Sequence, residues 1–349
     1  MVQHSHEKYM KRCLQLAANG LQAAMPNPSV GAVIVHNNVI IGEGYTSAYG
    51  GDHAEVNAIH SVKDTSLLKE ATIYVSLEPC SHFGKTPPCS DLIIKHQIPK
   101  VVVGTIDPFA KVAGKGIEKL KNAGCEVVLG VLEAECIASN KRFFTFHQYK
   151  RPYIILKWAQ TQDGFIDKIR HENDPVQPNW ITNKFSRQLV HKWRSEEAAI
   201  LVGTNTAITD NPKLNTRDWH GNNPVRIVLD KSLRIPETYS LFDQTIKTIV
   251  LTEQQRDNKE NIIFEVIDFS KNIAEQICEV LYKYEVQSVI IEGGKQTLQT
   301  FIDANLWDEA RVFTGNVSFQ AGIEAPTFTG KLQSEQTILD NSLDIYTND

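Results

Sequence analysis

Apolar residues at Met10, Cys13, Leu14, Ala17 and Leu21 recur at helical spacing and predict a helix from His6 to Ala24, ended by Pro26-Asn27-Pro28. Two strand-like runs follow, from Val30 to Val35 and from Val39 to Tyr45, and the polar triplet His36-Asn37-Asn38 between them predicts a hairpin. A helix is expected to begin at His53 and run through Val56, Ala58 and Ile59. The pattern then gives a strand from Thr72 to Leu77, a helix from Asp91 to Gln97, a strand from Val101 to Thr105, a helix from Gly116 to Asn122 closed by Gly124, and a strand from Val127 to Leu129. Alternation of this kind predicts an α/β sandwich on a mixed sheet.

A helical segment from Glu133 to Phe146 reads as a connector, and the pattern restarts around Lys150-Arg151-Pro152. The boundary is therefore expected near residue 148, giving domains of 1–147 and 148–349. The second half predicts strands at Tyr153 to Trp158, Ala199 to Val202, Arg226 to Leu229, Thr248 to Leu251 and Ser288 to Ile291, with helices near Asn183 to Arg194, Ile273 to Tyr282 and Thr297 to Ala304. Its strands are continuous apolar runs, as in a sheet covered on both faces. Residues Ile169 to Asn179 read as a loop over a site.

A length of 349 residues suits two cores rather than one. With a net charge of -5 and no long run of lysine and arginine, the chain is not expected to bind nucleic acid. The segment from Met1 to Lys11 is polar, so no secretory signal is expected, and no apolar run reaches membrane-spanning length. Six unevenly spaced cysteines do not read as a disulfide framework, which points to the reducing cytoplasm.

Two of those cysteines carry the chemistry. His53-Ala54-Glu55, followed by Pro79-Cys80 and Pro88-Cys89, offers one imidazole and two thiolates, a three-ligand zinc set that leaves a fourth position for water. Glu55, two residues from His53, is placed to move protons, and the order H-x-E then P-C marks the zinc nucleobase deaminases. Their cysteines ordinarily stand three apart, whereas here they stand nine apart. A closed knuckle with His82 as fourth ligand is the competing reading, and it would leave Glu55 without a task.

Asn27-Pro28-Ser29-Val30-Gly31, His53-Ala54-Glu55, the run from Glu78 to Cys89, Asp107-Pro108 and Val112-Ala113-Gly114-Lys115-Gly116 resemble the deaminase domain of the bifunctional riboflavin-biosynthesis deaminase/reductases. The resemblance implies a cytidine-deaminase-like α/β/α sandwich, one Zn2+ per chain, and Asn27, His82 and Lys85 as contacts to a pyrimidine ribosyl phosphate. The second half resembles the same family's reductase domain, with its dihydrofolate-reductase-like α/β fold, through Leu156-Lys157, Asp163-Gly164, Trp180-Ile181-Thr182, Gly203-Thr204-Asn205-Thr206, Asp210-Asn211-Pro212, the stretch from Arg226 to Asp230 and Glu292-Gly293-Gly294. By that resemblance Ala159, Trp180, Thr206, Asp210, Gly294, Lys295, Gln296 and Thr297 would border NADPH. Lys157, Arg194, Leu214, Arg217 and Glu292 would surround the sugar phosphate. Arginines 194 and 217 suit a phosphate dianion, and Lys157 with Glu292 suits ribose hydroxyls and proton supply.

The second half departs from the family pattern at Thr161-Gln162, at Pro178, at Lys231 and after Gly315. The expected protein is a cytoplasmic homo-oligomer, dimer or tetramer, that deaminates the pyrimidine and then reduces its ribosyl chain. Two other readings remain open: a zinc deaminase of another nucleoside or nucleotide with an inactive or regulatory second domain, and a non-catalytic zinc-stabilised nucleotide binder.

Overall fold

The computed structural model describes residues 2–21, 23–83, 87–109, 113–171 and 174–348, and the side chains from His6 onward. Lys85 and Val112 lie outside the described residues. Two compact units divide the chain, Met1–Lys150 and Arg151–Asp349.

In the first unit, α1 (Val2–Ala17) leads to β1 (Gly31–His36) and β2 (Val39–Tyr45), then α2 (Ala54–His60), β3 (Thr72–Leu77), α3 (Cys89–Lys95), β4 (Lys100–Thr105), α4 (Lys115–Asn122), β5 (Glu126–Leu129), α5 (Glu133–Ser139) and α6 (Lys141–Tyr149). The sheet order is β2-β1-β3-β4-β5, antiparallel across β2, β1 and β3 and parallel from β3 to β5. Asn37 and Asn38 both adopt positive φ, 47° and 63°, which twists the hairpin the way its strands require. The strands are apolar on both faces because both are covered. Tyr9, Met10 and Cys13 of α1 and Cys136 of α5 pack on Val33, Val35, Tyr74 and Val102, while the alternate positions Ala32, Ile34, Ile73, Val75, Val101 and Val103 face α2, α3 and α4.

Two expected helices end differently. The first stops at Ala17 rather than Ala24, because the Ser29 hydroxyl donates to the Ala17 carbonyl at 2.5 Å and takes over the helix end. The connector breaks into α5 and α6 at Asn140, whose side chain accepts from the Ser29 N–H at 2.9 Å and donates to the Ser29 carbonyl at 3.0 Å.

The second unit runs β6 (Tyr153–Thr161), β7 (Phe165–Asp167), α7 (Lys184–Glu196), β8 (Ala199–Val202), α8 (Thr204–Asp210), β9 (Val225–Leu229), β10 (Thr248–Thr252), β11 (Ile262–Val266), α9 (Ile273–Lys283), β12 (Ser288–Ile291), α10 (Lys295–Asp303), β13 (Glu309–Gly315), β14 (Ile323–Glu324), β15 (Lys331–Ile338) and β16 (Asn341–Thr347). Nine strands form one sheet in the order β11-β10-β9-β8-β12-β6-β13-β16-β15. It is parallel through β13, and β16 and β15 close one edge antiparallel. Leu298 and Phe301 of α10 and Ile277 and Leu281 of α9 bury one face against Leu156, Leu201 and Ile291. Val190 and Trp193 of α7 bury the other against Ile155, Ile200 and Ile290, each such side chain contributing about 1.5–3 kcal/mol of burial.

Candidate active sites

The first site is assembled at the ends of three elements. His53 caps the N-terminus of α2 in an extended conformation (φ -74°, ψ 165°), Cys80 follows β3, and Cys89 opens α3. The Cys80 Sγ lies 3.6 Å and the Cys89 Sγ 3.3 Å from the His53 Nδ1, and all three ligand atoms fall within 4.8 Å of one another. The Cys89 N–H donates to the Cys80 Sγ at 3.3 Å, which holds the two cysteines together despite the eight residues between them. Among the described residues no fourth histidine, cysteine or carboxylate joins this group, so His82 is not part of it.

Electrostatics favour a cation here. The Cys89 thiol and then the His53 imidazole hold Cys80 down toward the thiolate, while sharing with Cys80 and burial push Cys89 up. His53 rises to about 9, first through its bond to Cys80. Such a shared proton is what a metal ion displaces. One nitrogen and two sulfurs converging from three elements fit zinc in both ligand type and number. Glu55, only 4% exposed, is pushed up to about 7 by burial and next by the Cys80 charge.

The surrounding residues are distributed less tightly. Asn27 is half-buried in the turn before β1, with its N–H bonded to the Ala24 carbonyl at 2.8 Å. His82 is exposed, its ring 6.5 Å from that of Phe109 and edge-on to it.

The second site is a cavity of about 1620 Å³ in the second unit. Ala159, Trp180, Thr206, Asp210, Gly294, Lys295, Gln296 and Thr297 all line it, as do Lys157, Arg194, Leu214, Arg217 and Glu292. The N-terminus of α10 thus opens into the cavity and presents its free N–H groups there. That end, with the cavity's size, fits a dinucleotide.

Arg194 is engaged within the protein. Its guanidinium grips the Glu292 carboxylate at 2.6 and 3.3 Å across 98 residues of sequence. Burial pushes Glu292 up, but the Arg194 and Lys157 charges overcome it and bring the carboxyl to about 2. Burial lowers Lys157, with Glu292 opposing and Arg194 adding to the effect.

His191, which sequence reasoning passed over, also lines the cavity. Its Nδ1 accepts the Arg217 N–H at 3.4 Å and its Nε2 lies 3.3 Å from Asp218, while burial, Arg194 and Arg217 lower it to about 4. A buried histidine on a helix leaves no pattern that separates it from a core residue. Arg170, from the expected loop, pairs with Asp167 at 3.0 Å and Asp210 at 3.2 Å, and Arg187 stacks 4.3 Å over Trp180.

The departures have local explanations. The Thr161 hydroxyl donates to Asp163 and accepts the Phe165 N–H at 2.9 Å, and Gln162 bonds Asn316 at 2.9 Å. Asp163 also receives Ser318 and the N–H groups of Phe319 and Gln320, so the segment after Gly315 is tied to this turn. Pro178 forms part of the cavity wall, and Lys231 is exposed, paired with Glu253 at 3.3 Å.

Comparison with known proteins agrees with this geometry. The family model of the RibD C-terminal domain matches residues 152–345, and that of the cytidine and deoxycytidylate deaminase zinc-binding region matches residues 3–105. Riboflavin biosynthesis protein RibD of Aquifex aeolicus is 40% identical, covering 90% of this chain and 87% of its own. The protein of the same name from Synechocystis is 37% identical, over 95% and 90%. The crystal structure of a diaminohydroxyphosphoribosylaminopyrimidine deaminase/5-amino-6-(5-phosphoribosylamino)uracil reductase from Thermotoga maritima superposes with a TM-score of 0.89 at 36% identity, covering 99% of both chains. Acinetobacter baumannii RibD does so with 0.88 at 31% identity, again over 99% of each. With two sites of these kinds on one chain and relatives matched along almost their whole length, the chain belongs to the RibD family of bifunctional riboflavin-biosynthesis deaminase/reductases.

Proposed function

We propose that the first site deaminates a diaminopyrimidinone ribosyl phosphate and that the second reduces the ribosyl chain of the product to ribityl with NADPH. The observation that carries this reading is the pair of built sites on one chain: a convergent His53, Cys80 and Cys89 donor set beside a buried Glu55, and a dinucleotide-sized cavity containing the Lys157, Arg194 and Glu292 charges. The domain division is taken near residue 148, the compartment is the cytoplasm, and the assembly is a dimer or tetramer.

His53, Cys80 and Cys89 would hold a zinc ion, which when bound lowers the pKa of a water from about 15.7 to about 7. Glu55 accepts one water proton and carries it to the ring nitrogen beside the attacked carbon, then takes the second proton from the added hydroxyl and gives it to the amino group as the carbon–nitrogen bond breaks and ammonia leaves. Its raised pKa suits a carboxyl that must both take and give a proton. Asn27, His82 and Lys85 are assigned to the pyrimidine and its phosphate.

NADPH, when bound, supplies the hydride. Ala159, Trp180, Thr206, Asp210 and the α10 start from Gly294 to Thr297 are assigned to it. Because Glu292 spends both oxygens on Arg194, Lys157 is the group left to bring a proton to the sugar, and its lowered pKa makes that release easier. Arg194, Arg217 and Leu214 are assigned to the sugar phosphate.

One assay tests the whole reading: supply the diaminopyrimidine ribosyl phosphate and follow ammonia and NADPH together. Ammonia followed by an equal amount of oxidised NADPH is expected. Ammonia from cytidine with none from the phosphorylated diaminopyrimidine would overturn the substrate assignment, and ammonia without oxidation would overturn the second step.

A further inference from the structure

Two residues before Cys80, Glu78 is 4% exposed, and its carboxylate receives four backbone N–H groups from a distant part of the chain. Oε1 accepts from Gly116 at 2.9 Å and Ile117 at 3.3 Å, and Oε2 from Gly114 at 2.9 Å and Asp107 at 3.3 Å. The first pair are orphan donors of the first turn of α4, so Glu78 caps that helix from another element. The contact is close: a Cβ on Gly116 would overlap the Pro79 carbonyl. In the second pair Gly114 is the N-cap of α4 and Asp107 lies in the turn after β4, so Oε2 ties that turn to the start of the helix. In that turn the Asp107 carboxylate accepts the Phe109 N–H at 2.8 Å, and the Phe109 ring stands edge-on to His82.

We propose that Glu78 is a positioning residue for the deaminase, setting the turn from Asp107 to Phe109 against the His82 loop and so shaping the pyrimidine side of the pocket. The inference rests on the assignment of His82 to the substrate. Cys80 has its own donor in the Cys89 N–H, so the effect falls on substrate binding and not on the metal. A glutamine at 78 retains the shape but offers one acceptor and two donors where four donors point, so one pair of N–H groups loses its partner.

The test uses the full zinc-loaded chain. Glu78→Gln is expected to raise the deaminase KM about tenfold, with kcat within about threefold, zinc stoichiometry kept and the cobalt-substituted spectrum unchanged. Phe109→Leu, a milder change at a half-buried ring, is expected to raise KM similarly. The double variant should show less than the product of the two effects, since both act through one turn. An unchanged KM in Phe109→Leu, multiplicative effects, or a Glu78→Gln protein that loses zinc while its metal-loaded fraction binds substrate normally would overturn the proposal. His82→Ala separates the two levels: if it leaves KM unaltered, the substrate assignment fails, whereas a raised KM there beside an unchanged one in Glu78→Gln sinks only the role of Glu78.

Discussion

Glu55 has a carboxyl almost wholly removed from water, beside two thiols and one residue from the end of a helix. If it moves the protons of deamination, Glu55→Gln should bind zinc as the parent does and release ammonia about 10²–10⁴ times more slowly. Ammonia assay beside metal analysis checks this, and normal turnover would remove Glu55 from the mechanism. Two residues of the second site make a different prediction. His191 titrates near 4 when folded against an ordinary 6.5, because burial and the nearby Arg194 and Arg217 outweigh Asp218 and Glu292. Between those values the unfolded chain binds the extra proton, so its stabilisation is complete above pH 6.5 and is lost as pH falls toward 4. Glu292, at about 2 against 4.5, adds stabilisation that is present above 4.5 and lost as pH falls through about 2. Thermal unfolding of the NADP+-sensitive transition should therefore fall in two windows on acidification. His191→Gln should abolish the upper window and leave the lower one.

At the scale of elements, α1 lies so close on β1 that a Cβ on Gly31 would overlap the Cys13 carbonyl. Backbone on both sides leaves nothing flexible to yield, so Gly31→Ala should destabilise the first unit by about 1–3 kcal/mol. Chemical denaturation measures this, and an unshifted midpoint would mean that α1 moves freely on the sheet. The same strand was legible in the sequence because Ala32 to Val35 is uniformly apolar, as were β3, β8 and β12. Strand β13 was not, because its buried Glu309 and Arg311 disguise an interior strand, and they are tolerated by pairing at 2.6 Å. The exposed β15 and the short α8, built from threonine and asparagine, carry neither periodicity nor propensity. Site residues divide in the same way. His53, Cys80 and Cys89 sit in short motifs at element ends, whereas the Arg194 and Glu292 pair depends on a sheet bringing α7 and the end of β12 together, which no spacing records.

For the whole chain, the decisive question is whether the two chemistries share one stability. Each unit has its own pair of buried clusters, one on either face of its own sheet. On the proposed function each also has its own ligand, so ligand linkage should act on one unit at a time. Zinc binds deprotonated cysteines brought together only by folding, and its removal must therefore cost the first unit folding free energy. NADP+ at a hundred times its Kd should stabilise the second unit by about 2.7 kcal/mol. Calorimetry of the full chain is expected to give two transitions, one lowered by a chelator and indifferent to NADP+, the other raised by NADP+ and indifferent to the chelator. A single transition moved by both reagents would mean that the units unfold together. Loss of the metal would then weaken the reductase as well, and the residual reductase activity of chelator-treated protein at elevated temperature would fall with it.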